Sequence, residues 1–270
     1  MRLCSIVIHP IKSCGAIALE RARVERRGLA HDRRFLIVDP AGRFVTQREE
    51  PRLSRVRVAI DGPAMEVEAP EVGRVETPLD PEQGELVGAH RVTVWRSTLE
   101  VPEVPRLSSF FTHVLGRPVR CVAMTRAAHR AISERHARPG DEVSFADGYP
   151  LLVASESSLR DLEARAGVPL GMARFRPNVV IEGAPAWDED RWTHVRIGAV
   201  RFRAPKPCAR CVMTTIDPET GAMGKEPLKT LATFRKVDGE VMFGVNLIPE
   251  LEDDGEAQLT VGDPVVPEHA

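Results

Sequence analysis

Cys208 and Cys211 are the residues whose types and spacing most plainly offer chemistry. They stand beside Lys206 and Arg210 in the stretch Pro205–Gly221, P-K-P-C-A-R-C-V-M-T-T-I-D-P-E-T-G. Four readings fit a C-x-x-C of this kind. A thiol-redox pair would open a helix, which the β-branched run Thr214-Thr215-Ile216 disfavours. A structural zinc site needs four ligands, and no second C-x-x-C or matched histidine pair accompanies this one. One reactive thiolate with a bystander is the third reading, since nearby cations favour the charged form of a thiol. Both cysteines simply packing as small hydrophobes is the fourth.

Three further segments carry cations where a loop meets a strand. His9-Pro10-Ile11-Lys12-Ser13-Cys14-Gly15 sets an ammonium beside a hydroxyl in a loop closed by glycine. His31-Asp32-Arg33-Arg34 precedes an apolar run, and Arg176-Pro177-Asn178 precedes another. Arginine binds phosphate bidentately, and asparagine offers both a donor and an acceptor. Singly, each reads as an ordinary surface cation. Jointly, with the cysteine segment, they suggest a pocket for a polyanion, provided the fold brings them together.

Composition bounds the rest. Lys+Arg 37 against Asp+Glu 39 leaves no net basic charge to recruit nucleic acid, so an anion site must come from local clustering. Hydrophobic residues at 43% suffice for a real core in 270 residues, enough chain for one or two domains. No apolar run approaches the roughly 18–20 residues that span a bilayer. The first eight residues read as a strand rather than a signal peptide. Five cysteines do not make a disulfide framework, and a reducing cytoplasm is the expected setting. No P-loop, dinucleotide G-x-G-x-x-G, H-E-x-x-H or G-x-S-x-G is present.

The elements that must position these residues are mostly strands. Residues 3–8 are apolar on both alternating faces, which predicts a buried strand. Arg33–Val38, the turn Asp39-Pro40-Ala41-Gly42 and Arg43–Thr46 predict a hairpin. Alternation recurs at Val56/Val58/Ile60, Met65/Val67 and Val92/Val94, and residues 78–90 read as a polar surface loop. Leu107, Phe110, Phe111, Val114 and Leu115 form a helical stripe ended by Gly116 and Pro118. Thr125–Ala146 reads as a polar excursion or domain boundary, with His129 and His136 on a solvated face. Ser155 or Ser157 caps a helix that Gly167 and Pro169 stop. Strands follow at 179–181 and 195–204, with a slip at Gly198-Ala199; a weak helix starts after Pro227, and a last strand follows Val261-Gly262-Asp263-Pro264. Trp187 and Trp192 read as packing residues with a polar edge.

Taken together, H-P-I-K-S-C-G, D-R-R-F-L-I-V-D with T-Q-R-E-E-P-R-L, R-F-R-P-N-V-V-I, C-A-R-C-V-M-T-T-I-D-P-E-T-G, F-G-V-N and V-G-D-P-V resemble a MOSC protein. The form with an added N-terminal β-barrel domain fits over nearly the whole chain. That group includes the mitochondrial amidoxime-reducing component and its bacterial counterparts. The resemblance implies a mixed, β-rich α+β fold: an N-terminal MOSC-associated β-barrel-like domain over 1–120 and a MOSC β-barrel domain with a few peripheral helices over 121–270. It implies that Cys211 ligates molybdenum and is the catalytic residue, with Cys208 a neighbour that is not a ligand. Lys12, Ser13, Arg33, Asp147, Arg176, Asn178, Arg210 and Asn246 match positions that hold the molybdenum cofactor, in its molybdopterin form, and its phosphate. Where some relatives place hydroxyl residues beside that aspartate, this chain has Gly148 and Tyr149.

The implied activity is reduction of N-oxygenated (N-hydroxylated) compounds by oxygen-atom transfer to reduced molybdenum. The small-molecule substrate is joined by a separate electron-donor protein, since no C-x₄-C-x₂-C iron–sulfur run is seen. No nucleic acid and no membrane span is expected. The alternatives are a non-catalytic cofactor-binding or sulfur-carrier protein using Cys211, and a plain thiol-redox protein using Cys208 and Cys211.

Overall fold

Strand Arg2–Ile8 buries Leu3, Ile6 and Ile8 completely, and it lies near one edge of the largest sheet rather than in a sheet of its own. The computed structural model describes residues 1–132, 135–251 and 257–269. Among these, the largest sheet has nine strands. Its path runs Val265–His269, Trp192–Ile197, Val200–Arg210, Glu240–Glu250, Leu151–Ser155, Val179–Glu182, Arg2–Ile8 and Ile17–Leu19, with Lys236–Val237 paired onto Glu240–Glu250. Neighbours are antiparallel except Leu151–Ser155 with Val179–Glu182, whose crossover carries the helix Glu156–Ala166.

Three smaller sheets complete the described residues. Phe35–Val38, Arg120–Ala123, Ser97–Glu103 and Val87–Val94 form one. Arg57–Asp61, Ala64–Ala69 and Gly73–Pro78 form a meander. Ala257–Thr260, Arg21–Glu25 and Gly28–Leu29 form a ribbon. The class is therefore β-rich α+β, as expected, but the sheets are open paths rather than closed barrels. The reason lies at the edges of the large sheet. Ile17–Leu19 is only three residues long, and Val265–His269 carries Pro267, which has no N–H to extend a ladder. A few backbone bonds still join the first strand to the start of the last, Leu3 N–H to Asp263 and Val265 N–H to Met1, and side chains fill the core: Ala22, Val24, Leu29 and Leu259 of the ribbon pack with Leu3, Val153, Ile181, Phe202 and Leu247 of the large sheet.

The helices follow their sequence signals. Pro105–Leu115 buries Leu107, Phe110, Phe111 and Leu115 and ends at Gly116 with φ 65°, a left-handed cap that costs glycine nothing. Ser155 caps Glu156–Ala166 by accepting from the Ser157 amide at 3.2 Å. The indole N–H of Trp187 donates to Asp161 and that of Trp192 to Asp188, so both are packing residues with a polar edge, as expected.

Three expectations change. The hairpin over 33–46 keeps its turn, with the Gly42 amide on the Asp39 carbonyl at 2.9 Å, but the second arm forms no ladder, only isolated bridges from Phe44 to Val38 and from Arg43 to Thr93. Phe35–Val38 takes Arg120–Ala123 as its ladder partner instead, burying Cys121, Val122 and Ala123 against it. The surface loop at 78–90 is shorter, because strand Val87–Val94 takes in its last four residues. Thr125–Ala146 is exposed over much of its length, His129 included, as expected, but not throughout; residues 133 and 134 lie outside the described residues. Ile132, Val143 and Phe145 are buried, and so is Arg130. The Arg130 guanidinium donates to the carbonyls of Ser144, Ala146 and Asp147 at 2.8, 2.5 and 2.7 Å. A side chain that looks like a surface cation in sequence thus binds the loop from beneath, where unpaired carbonyls would be costly.

Glu189 gives the fold a pH signature. It is fully buried and accepts from the Ser158 hydroxyl at 2.7 Å. Burial, aided by Asp190, pushes its carboxyl from the ordinary 4.5 up to about 7 against the pull of Ser158. Between those two values the folded protein holds a proton that the unfolded chain has released, so stability falls as pH rises through the window. Glu189→Gln is expected to stabilise the protein by on the order of 3 kcal/mol at pH 8 and by almost nothing near pH 4.5. Denaturant unfolding at the two pH values checks it; an equal effect at both rules the titration out.

Candidate functional site

The cysteine segment leaves strand Val200–Arg210, whose pairing with Glu240–Glu250 slips between Arg203 and Lys206 and again between Pro207 and Ala209. Pro205 and Pro207 cannot donate to a ladder, so the strand bulges there and turns its end toward the loops. Cys211, in extended backbone, then precedes a 3₁₀ turn, Val212–Thr215. Two buried hydroxyls pin that turn: Thr214 donates to the Cys211 carbonyl at 3.0 Å and Thr215 to that of Val212 at 2.8 Å. The T-T pair thus fixes the backbone carrying Cys211. No α-helix follows, as expected, and both cysteines are free and half-buried.

All nine candidate residues, Lys12, Ser13, Arg33, Asp147, Arg176, Asn178, Arg210, Cys211 and Asn246, line one cleft of about 250 Å³. Sequence separations of up to 234 residues are closed by strand pairing. Arg2–Ile8 lies beside Val179–Glu182, bringing the loop after the first strand to the loop before the second. The Arg33 amide donates to the His9 carbonyl at 2.9 Å, and its guanidinium donates to the Arg176 carbonyl at 3.2 Å.

The cleft's charges are held in place by second partners. Lys12 is buried; its ammonium donates to the Phe145 carbonyl at 2.8 Å and to Asp147 at 2.5 Å. Burial lowers the Lys12 pKa, and Asp147 opposes the change. Asp147 stands exposed at the cleft; the surrounding protein still disfavours its charge, but Lys12, Arg48 and Trp95 outweigh that and hold the carboxyl well below its usual range. Arg33 is clamped by buried Asp32 at 2.5 Å, and despite burial Arg33 and His9 bring Asp32 down to about 2. Burial, with Arg176 and Arg33 close by, holds His9 well below its ordinary value, so it is neutral.

Arg176 is the least compensated group. Its side chain makes no hydrogen bond among the described residues, and its buried Nη2 has no partner. Burial and the neighbouring Arg33 lower its pKa to about 10. Its backbone is left-handed at φ 52°, as are those of Ser13 at 71° and Arg33 at 48°. Side-chain-bearing residues avoid this region at a cost of order 1 kcal/mol or more, and such strain concentrates at ligand sites.

Two of the nine are used differently from the others. Both ends of the Asn178 amide are spent in the sheet, on the Val7 carbonyl and the Leu152 amide, each at 3.2 Å. Asn246 reaches the Lys206 and Pro207 carbonyls at 3.4 Å, steadying the bulged strand. Arg210 donates to the Cys208 sulfur at 3.0 Å and to the Phe175 carbonyl at 2.7 Å. Cys14, beside Ser13, is fully buried and its thiol is pushed up to about 12, which marks it as inert packing.

Lys206, the cation beside the cysteines, and Tyr149, beside the aspartate, also line the cleft, and Tyr149 bonds the His136 ring at 2.7 Å. Other contributors went unnoticed in sequence. Trp95, half-exposed and left-handed at φ 57°, donates its indole N–H to Asp147 at 3.2 Å, with the Arg48 guanidinium 4.9 Å over its ring. A positive φ on a tryptophan is no sequence signal. Arg130 carries none either.

The arrangement suits an anion with several acceptor oxygens. Ser13 Oγ, Arg176 Nη2 and Arg210 Nε are buried without partners, and burying such groups unpaired costs about 1–3 kcal/mol each. Among the described residues no three His, Cys, Asp or Glu gather around a common point, so a metal at Cys211 would need its other ligands from a bound molecule. Zinc held by protein alone does not fit.

Residues 140–266 match the model of the MOSC domain, and residues 1–118 match that of the MOSC N-terminal beta barrel domain. The mitochondrial amidoxime-reducing component 1 of Danio rerio is 32% identical over 249 residues, covering 86% of this chain and 74% of that protein. Its Homo sapiens counterpart is 32% identical over 285 residues, 96% of this chain and 80% of its own length. The molybdenum cofactor sulfurase of Arabidopsis thaliana is 30% identical over 293 residues, 98% of this chain but 35% of that much longer protein.

Proposed function

This chain belongs to the MOSC family, and from that premise we propose that it is a molybdenum-cofactor-dependent reductase of N-hydroxylated compounds. The observation that carries the reading is the shared cleft: one half-buried cysteine together with cations whose buried donors lack partners. Relatives named for amidoxime reduction that align over most of both chains support the substrate class.

In this reading Cys211 Sγ is the protein's ligand to molybdenum, a soft donor for a metal that arrives with its own sulfur ligands. Ser13, Arg33 and Arg176 hold the cofactor's phosphate, and Lys12 with Asp147 sets the loop against it. Arg210 lies beside the metal end through its bond to Cys208, while Asn178 and Asn246 brace the strands. When bound, the cofactor would supply an oxygen-atom acceptor that gives two electrons to the substrate; the chain supplies position and a fixed positive field. Overall the N–O bond breaks, two electrons and two protons enter, and the N–H product and water leave. The electrons come from a separate donor protein.

The same reading divides the chain into 1–120 and 121–270. The matched segments support that division, and the ladder of Arg2–Ile8 onto Val179–Glu182 crosses it. No helix among the described residues is long and apolar enough to cross a membrane. The free cysteines suit a reducing compartment, and we place the protein in the cytoplasm.

Expression in a host that makes the cofactor is expected to yield near-stoichiometric molybdenum, and the loaded protein to convert benzamidoxime to benzamidine with a chemical reductant. Full loading with no turnover would favour a carrier of cofactor or sulfur instead, the reading to which the sulfurase likeness points. Absence of molybdenum would leave a plain thiol protein.

A further inference from the structure

Tyr149 is the chain's one tyrosine, and it lines the cofactor cleft with its hydroxyl 2.7 Å from Nδ1 of His136. The register of the large sheet locates the pair. Tyr149 packs with Ile132, Val143, Ala146 and Ile248, and Ile248 pairs with Arg203. Arg210, next to Cys211, pairs instead with Val241, several residues along the same ladder. Tyr149 therefore stands toward the end of the cleft away from the candidate metal ligand, where Lys206 also lines it. His136 is anchored at that end. Buried Arg203 donates to the His136 carbonyl at 3.1 Å and pairs with Asp141, and Arg138 of the same turn reaches Glu250 at 2.7 Å.

The bond between the two rings can run in either sense. With Nδ1 bare, the hydroxyl donates to it, and the phenol oxygen offers the cleft only lone pairs. With a proton on Nδ1, the imidazole donates to the oxygen, and the hydroxyl is released to donate into the cleft. An imidazolium always takes the second sense.

We propose that His136 is a positioning residue for the cofactor: its proton turns Tyr149 into a donor toward an acceptor atom of the cofactor's organic part, so that binding takes up a proton from solvent at His136. The proposal rests on the cofactor-binding reading above and is independent of the substrate class.

Three features carry it. First, the polar atoms left over in the cleft are donors. Arg176 Nη2 and Arg210 Nε can only donate, and Ser13 Oγ is able to. A ligand that suits them is rich in acceptors, and Tyr149 matches such a ligand only in its donating sense. Second, the field around His136 changes sign of effect when an anion arrives. Among the described residues the charged groups facing the ring are Arg135, Lys206 and Arg203, while the carboxylates Asp141 and Glu250 are taken up by Arg203 and Arg138. Partial burial and then these three cations hold His136 below its ordinary 6.5, so the empty cleft leaves it neutral. A bound anion offsets the cations and favours the proton. Third, His136 is half-buried and its Nε2 makes no hydrogen bond among the described residues, so the ring exchanges protons with solvent. The sign follows. Binding raises the His136 pKa, so the added affinity is complete below the empty-state value and is lost as pH rises through the bound-state value.

The test uses full-length protein loaded in a cofactor-making host, with Tyr149→Phe and His136→Gln beside it. Gln keeps a polar side chain next to Tyr149 but does not titrate. Molybdenum loss on dilution is followed near pH 5.5 and near pH 8; ionisation of the cofactor's own phosphate affects all three proteins alike. The ratio of the loss rate at the higher pH to that at the lower is expected to be about three- to tenfold larger in the wild type than in either variant, the scale of one hydrogen bond. The His136 imidazole NMR signal should titrate about one pH unit higher in loaded than in metal-free protein. Equal ratios in the wild type and both variants overturn the proposal, as does a His136 midpoint that stays or falls on loading. If Tyr149→Phe does not load, His136→Gln and the NMR midpoint decide. Wild-type protein that takes up no molybdenum defeats the cofactor reading itself; loaded wild type whose ratio matches its variants' defeats only the role of the pair.

Discussion

Cys211→Ser protein, purified from a cofactor-making host, is expected to hold at least about a hundredfold less tightly bound molybdenum than the wild type. Loss of a supporting hydrogen bond around a metal ligand already costs about 10–100-fold in affinity, and loss of the ligand itself costs no less. Oxygen for sulfur is a harder donor, poorly matched to a thiophilic metal. The fold has little reason to change: Cys211 is half-buried, and the turn after it is held by Thr214 and Thr215 through backbone carbonyls that serine retains. Thermal unfolding of the metal-free proteins should therefore agree closely, which separates loss of a ligand from loss of structure. Cys208→Ala is the companion. It removes the acceptor for Arg210, worth about 1 kcal/mol, and leaves molybdenum in place. Normal loading of Cys211→Ser overturns the ligand assignment, and loss of metal from Cys208→Ala restores a two-cysteine site.

Arg176→Gly should move stability and loading in opposite directions. Removing the side chain relieves the left-handed backbone at φ 52° and deletes a buried guanidinium nitrogen without a partner, against roughly 0.5–1 kcal/mol of added chain entropy in the unfolded state. The net gain for the cofactor-free protein is about 2 kcal/mol, or about 5 °C in Tm for a chain of this size. The same change removes a charge-assisted contact to the phosphate, worth about 1.5–3 kcal/mol, so cofactor affinity falls by about 10–100-fold. Calorimetric melting of cofactor-free protein and molybdenum content of loaded protein give the two signs. A Tm that drops together with loading would make Arg176 a structural residue.

What could be read from the residues depended on whether their signals were local. Gly116, Gly167 and Ser155 announce helix ends because a cap is decided within a turn. Lys12, Arg33 and Arg176 could be named because each follows or precedes an apolar run, where a loop must lie; that they share a cleft depends on the pairing of Arg2–Ile8 with Val179–Glu182, a contact across some 170 residues that no local pattern encodes. Arg130 shows the opposite case. In sequence it sits among charges and looks solvated, yet three carbonyls claim its guanidinium in the folded protein. The second arm over 43–46 had the right alternation for a strand, and it does meet Phe35–Val38, on the edge opposite Arg120–Ala123, but with too few paired residues to make a ladder. Trp95 and Arg48 reach Asp147 only through tertiary placement.

The pairing of the first strand also sets a timetable for biosynthesis. Arg2–Ile8 leaves the ribosome first, and its ladder partners are Ile17–Leu19 and Val179–Glu182. At about 5–20 residues per second, the latter follows roughly 10–35 s after the former. Until then the loop bearing Lys12 and Ser13 has no neighbour from the second half to complete the phosphate cradle. Under the proposed function, cofactor capture therefore waits for the second half of the chain, and a nascent chain stalled before residue 179 should capture none.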